Sequence, residues 1–401
     1  MPLLRRVAIE NFKSIAKCRV DLAPLTVIVG RNGSGKSNFL DALKFVVDAL
    51  QTSLDHAIRS RGGIDDVRRR STGHPRNFGI RLELLLPNLH RADFTFEIAA
   101  RSGGSFAVKN EEINVIAPNG SVTANYRREE RRVSSESHPT MPPVLDDRLF
   151  LVNAAGLPEF RAAYDALVTM GFYNLDPEAM REPQAPDAGE LLHHDGSNIA
   201  SVVARLSAHP SSALMRISEY LGKIVPDVES VERVSLGPRE TLQFLQKVKG
   251  AKYPWRFYAS SMSDGTLRAL GALVAVTQLT GGAQTVRLVG IEEPETALHP
   301  AAAGALMDAL REATRHTQVI VTTHSADLLD EVDINQDGLL VVVSEDGITR
   351  IAPPDQASLD VVRSHLYSAG ELLRTDQLAP DPGNLNEQEQ MELFSSGTMA
   401  Q

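Results

Sequence analysis

The chain has 401 residues, enough for one large domain or two modest ones with a well-buried core, and its 42% hydrophobic and 23% charged residues are ordinary for a soluble globular protein. One cysteine, Cys18, excludes an intramolecular disulfide and suits a reducing cytosol, while a formal net charge of -10 argues against a uniformly basic nucleic-acid binder without excluding a local basic face. No apolar run approaches the roughly 20 residues of a membrane span, and the opening MPLLRRVAIENF has no apolar signal core, so a cytoplasmic location is expected.

In chain order, the stretch from Leu3 to Asp21 alternates like two strands around a turn at Asn11-Phe12-Lys13. Leu25 to Val29 is a short apolar run of the kind that makes a buried strand, followed by a glycine-rich turn. Phe39, Leu40, Leu43, Val46, Val47, Leu50 and Leu54 then recur at helical spacing. Residues 59–76 are basic and glycine-bearing, and 80–122 read as strands separated by turns. The charged, serine-rich and proline-ended stretch 125–143 reads as an exposed loop, and 148–153 as a strand returning to the core. Residues 158–225 show helical patterns broken by REPQAPDAG, and after Ser260 helices and strands alternate. The polar tail 379–401 is poor in aliphatics and is expected to be disordered. These shifts divide the chain at 1–157, 158–259, 260–378 and 379–401.

Four segments carry chemistry. Gly30-Arg31-Asn32-Gly33-Ser34-Gly35-Lys36-Ser37 matches the phosphate-binding loop, between an apolar strand and an amphipathic helix. Its glycines let successive backbone N–H groups turn inward on phosphate oxygens, and the following helix adds the positive end of its dipole. Lys36 is then placed to bridge the β- and γ-phosphates and the Ser37 hydroxyl to ligate Mg²⁺. The strand Val286 to Ile291 ends in Glu292 and Glu293, adjacent acids whose repulsion a cation or a chemical role must offset. Glu292 suits the metal shell and Glu293 the polarisation of an attacking water. Ser261-Met262-Ser263-Asp264-Gly265 opens a helix; Ser263 and Asp264 suit plain capping, and equally the presentation of Ser263 and Gly265 to a nucleotide held by another subunit. Gln318 to Thr323 is a buried strand followed by His324, which is either structural or placed to sense a γ-phosphate.

In this order the motifs resemble the head of ABC-type ATPases, in the branch of RecF, the SMC proteins and the overcoming-lysogenization-defect nucleases. VAIENFKSIAKCRVDLAPLTVIVGRNGSGKSN, SMSDGTLRAL, GIEEPETALHP and VTTHSADLLD are each similar to that branch. The resemblance implies an α/β P-loop NTPase fold of ABC type, with a mixed central sheet, an antiparallel β subdomain and a helical lobe. It implies ATP and Mg²⁺ as ligands, and assigns phosphate and metal binding to Gly30, Asn32, Gly33, Ser34, Gly35, Lys36, Ser37 and Asn38. It assigns the acidic roles to Glu292 and Glu293, the switch to His324 and the trans signature to Ser263, Asp264 and Gly265. It further implies a homodimer closing on two ATPs, ATP hydrolysis, and work in DNA metabolism or anti-phage defence.

Asp264 stands where transporters usually carry glycine, and Glu292 where aspartate is usual; both look like RecF-like variants. Gln184 is a candidate for the glutamine that reads the metal between lobes. The interval from Ser37 to Ser263 is long for a transporter ATPase and lacks the heptads of an SMC arm. The chain stops soon after the last α/β unit, so an appended TOPRIM nuclease is not expected and any nuclease effector would be a separate chain. Arg59, Arg61, Arg68, Arg69, Arg70 and Arg76 are either a patch for double-stranded DNA or a solvated loop, whereas Arg127, Arg128, Arg131 and Arg132, interleaved with Glu129 and Glu130, read as solvated. A protein–protein switch without DNA contact and, further off, a transporter subunit are the competing readings.

Overall fold

A computed structural model describes residues 3–71, 75–208, 213–278 and 286–394. In chain order the strands are β1 (Leu4–Phe12), β2 (Ile15–Asp21), β3 (Leu25–Val29), β4 (Asn77–Leu85), β5 (Arg91–Ala100), β6 (Phe106–Ile116), β7 (Val122–Glu129) and β8 (Arg132–Ser134). They continue with β9 (Gly171–Tyr173), β10 (Val228–Leu236), β11 (Arg239–Gln246), β12 (Trp255–Tyr258), β13 (Leu288–Glu292), β14 (Gln318–Thr323), β15 (Gly338–Glu345) and β16 (Ile348–Ala352). Among the described residues, thirteen strands form one sheet in the order β8-β7-β6-β5-β4-β1-β2-β16-β15-β3-β14-β13-β9, and β10-β11-β12 form a second.

The large sheet has two characters, and each follows from its residues. From β9 to β15 neighbouring strands are parallel. Covered on both faces, these strands read as continuous apolar runs, and every residue of β3 is buried. Alternation splits β3 between two cores: Ile28 joins the cluster around Phe39, Phe45 and Phe96, while Leu25, Val27 and Val29 join the one around Leu270, Leu306 and Leu328. The other half, β1 and β4 to β8, is an antiparallel meander. Gln318 joins the two halves: its buried side chain accepts from the N–H groups of Leu3 and Leu4 at 3.0 and 2.8 Å and donates to the carbonyls of Leu4 and Ala23. No helix among the described residues is long and apolar enough to cross a membrane.

Several expectations are corrected. The stretch 125–143 is not simply an exposed loop, because β7 and β8 occupy its first part. Along β7 every second residue, Ala124, Tyr126 and Arg128, turns inward. Arg128 is therefore not solvated: it is 1% exposed, its guanidinium donates to the carbonyls of Glu130 and Arg148 at 2.8 and 3.0 Å, and it lies 3.7 Å from the fully buried Glu111. Arg127, Arg131 and Arg132 are exposed, as read. The expected strand at 148–153 is instead a turn entering the short helix Leu151–Ala154. Glu111 dictates that outcome, since its carboxylate accepts from the N–H groups of Phe150 and Leu151 at 2.6 and 2.8 Å. Residues 158–225 are mostly helical, as expected, with one addition: β9 enters the large sheet beside β13.

The tail is ordered as far as it is described. Asp381 caps the helix Pro382–Glu389, and the Gln388 amide donates to the carbonyls of Arg19 and Ile351 at 3.2 and 2.9 Å. Met391 and Leu393 are buried with Ala8. A proline at the first helical position, an aspartate cap and a few well-placed contacts suffice where aliphatic content is low. Residues 395–401 lie outside the described residues.

Candidate functional site

The site is built where the parallel strands end. β3 delivers Gly30, whose N–H reaches the Thr323 carbonyl at the end of β14 (3.4 Å). A side chain at Gly30 would meet the Val342 carbonyl at 2.2 Å, and Gly35, with φ of 104°, would put one 2.0 Å from the Thr349 hydroxyl. Only glycine fits that left-handed, crowded position. The loop then enters the helix Lys36–Gln51, whose first N–H groups lack helical partners and face the loop.

Lys36 is 5% exposed, and its ammonium donates to the carbonyls of Gly30 and Arg31 at 2.8 and 3.2 Å. Burial holds its pKa below the ordinary lysine value, and Glu293, Glu295 and Glu292 pull the other way. The Ser37 hydroxyl donates to Glu292 at 2.5 Å. Glu293 places one oxygen 3.8 Å from the Lys36 ammonium and 3.1 Å from Nδ1 of His324. The structure thus gathers five predicted side chains, Lys36, Ser37, Glu292, Glu293 and His324, from one loop and two adjacent parallel strands.

Glu293 adopts φ of 44°, an uncommon conformation for a residue with a side chain. Its N–H is anchored to the Thr322 carbonyl at 3.0 Å. A third acid, Glu295, was not singled out from the sequence. It is nearly buried, its carboxyl is raised above the usual range by that burial, and one oxygen accepts from the Thr323 hydroxyl while the other has no partner. Thr323 also accepts from the Ser325 N–H at 2.9 Å, so it brackets His324 on both sides. The repeated acids of GIEEPET hinted at Glu295; nothing local hinted at Thr323.

Behind the loop lies a second unpredicted support. Thr349 on β16 donates to the Ser34 carbonyl at 2.8 Å and shares a hydrogen bond with Ser14 at 2.7 Å. Asn38, assigned to phosphate, turns instead to this rear network and donates to Ser14 at 2.6 Å. Ser34 keeps a buried hydroxyl with no partner, and Asn32 and Gly33 are exposed at the loop's front.

These features fit a nucleoside triphosphate: a glycine cradle, free helix N–H groups, an orphan buried hydroxyl and a lysine resting on carbonyls it can leave. For a metal, the protein offers the Ser37 hydroxyl and Glu292, and among the described residues no cluster of three or more His, Cys, Asp or Glu forms a site alone. Such a pair suits Mg²⁺ arriving with phosphate oxygens.

The signature residues stay apart from the loop. Ser263 caps the helix Asp264–Thr277 by accepting from the Thr266 N–H at 3.2 Å, and Asp264 pairs with Arg181. Gly265 abuts the turn after the acids, where a side chain would meet the Ala297 carbonyl at 2.3 Å; Ala297 itself has φ of 65°. Gln184 is held away from a metal role, its amide donating to Ser201 at 3.0 Å and Glu240 at 3.3 Å. In the basic segment, Arg59, Arg68 and Arg70 pair with Asp55, Asp65 and Asp66, and Arg61 is turned onto Asp41 and Asp48. Only Arg69 and Arg76, of the six, carry no carboxylate partner among the described residues, which favours the solvated loop over the DNA patch.

Two family profiles match: "AAA ATPase domain" over residues 3–116 and "AAA domain, putative AbiEii toxin, Type IV TA system" over residues 217–330. The chain is similar to the chromosome partition protein Smc of Methanocaldococcus jannaschii, 48% identical over 63 residues, 16% of this chain and 5% of that protein. It is also similar to that of Mycoplasma genitalium, 39% identical over 93 residues, 23% of this chain and 9% of that protein. The matches thus span a small part of either relative's length. In fold it is similar to an Smc head bound to the C-terminal winged-helix domain of ScpA, with TM-score 0.54, 16% identity, and 88% and 98% of the two chains covered. It is similar too to an Smc head with an extended coiled coil, bound to the C-terminal domain of ScpA from Pyrococcus furiosus, with TM-score 0.55, 13% identity and 91% and 100% covered. With the phosphate loop, its facing acids and the parallel core on which they sit, these likenesses identify the chain as an ATPase, with AAA ATPase domains over residues 3–116 and 217–330 and the fold of the Smc heads.

Proposed function

We propose that the chain is a dimerising ATPase whose nucleotide cycle gates a separate effector in DNA metabolism or anti-phage defence. The observation that carries this reading is the split site: Lys36, Ser37, Glu292, Glu293 and His324 converge, while Ser263 and Asp264 stand exposed elsewhere, leaving a γ-phosphate half enclosed until a second copy supplies its signature. In the proposed cycle the loop N–H groups and Lys36 hold the phosphates, and Ser37 and Glu292 hold Mg²⁺. Glu293 polarises the attacking water, and His324 senses the γ-phosphate. The closed dimer, with two ATPs at its interface, gains contacts present in no other state.

A separate partner is supported by the two Smc heads of similar fold, each of which is bound to a domain of ScpA. DNA is supported by the chromosome partition relatives. A second reading, a protein-triggered switch such as a toxin regulator, is favoured by the toxin–antitoxin description of the profile over residues 217–330. ATP turnover with and without linear double-stranded DNA separates the two, with Ser263→Arg alongside. Stimulation by DNA that the variant loses supports the first reading; turnover indifferent to DNA moves the assignment to the second.

A further inference from the structure

The second sheet ends in a surface that neither the nucleotide site nor the family motifs use. From Thr241 to Ser263 the chain carries no Asp or Glu, although the protein has 51 acids against 41 Lys and Arg. The same stretch holds Lys247, Lys249, Lys252 and Arg256 and the only tryptophan of the chain, Trp255. Lys247 is paired with Glu229 at 3.2 Å. Lys249, Lys252 and Arg256 are exposed and have no carboxylate partner among the described residues.

Aromatic rings stand among these cations. Tyr253, Trp255 and Tyr258 are 70%, 56% and 43% exposed, large apolar surfaces left open to solvent. They lie on β12 and the turn leading into it from β11, where Trp255 pairs with Gln246 at the mouth of the hairpin. Trp255 stacks on Phe257, with ring centroids 6.4 Å apart, and Phe257 packs against the core, so the outer ring is backed by a fixed one. The Lys252 ammonium lies 5.4 Å from the centre of the Tyr253 ring. Among the described residues β12 is an edge strand, bonded to β11 alone.

Exposed rings, Trp255 among them backed by a packed neighbour, interleaved with unpaired cations match a ligand that is both polyanionic and rich in flat aromatic faces. In a duplex those faces are stacked inside, and in a single strand they are free. We propose that the β11–β12 hairpin is a binding surface for single-stranded DNA, with unpaired bases stacking on Trp255 and Tyr253 and phosphates held by Lys249 and Lys252. The choice of DNA over RNA rests on the DNA-metabolism reading above; the stacking and charge do not. Because the rest of the chain is net acidic, the strand is confined to this surface. β12 runs through the turn Ala259–Ser261 directly into Ser263, so the bound strand sits beside the signature.

The test uses the full chain without nucleotide and reads its tryptophan emission, excited at wavelengths that tyrosine does not absorb, so that it comes from Trp255 alone. An oligothymidylate of about 20 nucleotides is expected to quench it, with an affinity that falls as salt rises. With a labelled oligonucleotide and anisotropy, Trp255→Ala is expected to lose about tenfold in affinity and Trp255→Phe to retain most of it. Lys249→Glu with Lys252→Glu, both exposed, is expected to lose at least as much and to flatten the salt dependence. All of these variants should keep wild-type ATP turnover, which separates failure of this surface from failure of the ATPase reading. The proposal is overturned if the oligonucleotide leaves Trp255 emission unchanged, or if duplex DNA or RNA binds more tightly. It is also overturned if polyglutamate quenches as well as DNA, the outcome for an acidic protein partner, or if the variants bind like wild type.

Discussion

At the scale of single residues, the site depends on side chains that share loads. Glu293 touches both Lys36 and His324, so one carboxylate holds the lysine's charge and the histidine's position. In the proposed cycle, Glu293→Gln keeps the shape and removes the base. It should bind ATP normally and lower turnover by about 100-fold or more, the scale on which general bases act; near-normal turnover would remove Glu293 from that role. Thr349→Val deletes the hydroxyl shared by the Ser34 carbonyl and Ser14 without changing volume. Losing about 1 kcal/mol of positioning should weaken ATP binding roughly fivefold to tenfold, with turnover at saturation little changed. Equal losses in affinity and saturated turnover would instead mean that the loop had collapsed. Lys36 gives a pH dependence of defined sign. Its free-state pKa is lowered by burial, and bound phosphates raise it again, so binding takes up a proton between the two values. ATP affinity should be full below the free-state value and fall as pH rises through it. Calorimetry in buffers of different ionisation enthalpy reads that proton, and an affinity rising with alkalinity would refute the argument.

At the scale of elements, legibility followed periodicity. β3, the phosphate loop and its helix were readable because a buried run, forced glycines and a helical apolar stripe are all local signals. β7 is hard to read because the charge of NYRREERR points to a solvated loop, whereas the two-residue alternation of Ala124, Tyr126 and Arg128 carries the strand signal. Thr349 was invisible for a different reason: it supports Ser34 from 315 residues away, and a threonine in a strand has no local mark of such a duty. The correction at Arg128 is testable. Arg128→Ala strands Glu111 in the core and should cost roughly 3–5 kcal/mol, whereas Arg127→Ala, on the open face of the same strand, should stay within about 0.5 kcal/mol. Urea unfolding measures both, and comparable small losses would show that Arg128 is solvated after all.

For the whole molecule, the arrangement of strands explains why the motifs, scattered from Gly30 to His324, meet: β3, β14 and β13 are neighbours in the sheet and end at the same level. No reading of one segment at a time predicts that adjacency; the order of the motifs does, because it resembles a known fold. In the proposed dimer, Glu293→Gln with ATP should run as twice the monomer mass in sedimentation, and adding Ser263→Arg should return it to the monomer. A dimer that survives Ser263→Arg would place the interface elsewhere. The contact between Gly265 and the Ala297 carbonyl bears on how such a pair would run. One end of that contact follows the acids that work on a chain's own nucleotide; the other is the signature lent to its neighbour's. A shift of the turn at one ATP would therefore nudge the grip on the other, so that the two halves of the proposed dimer would work as a linked pair instead of independently.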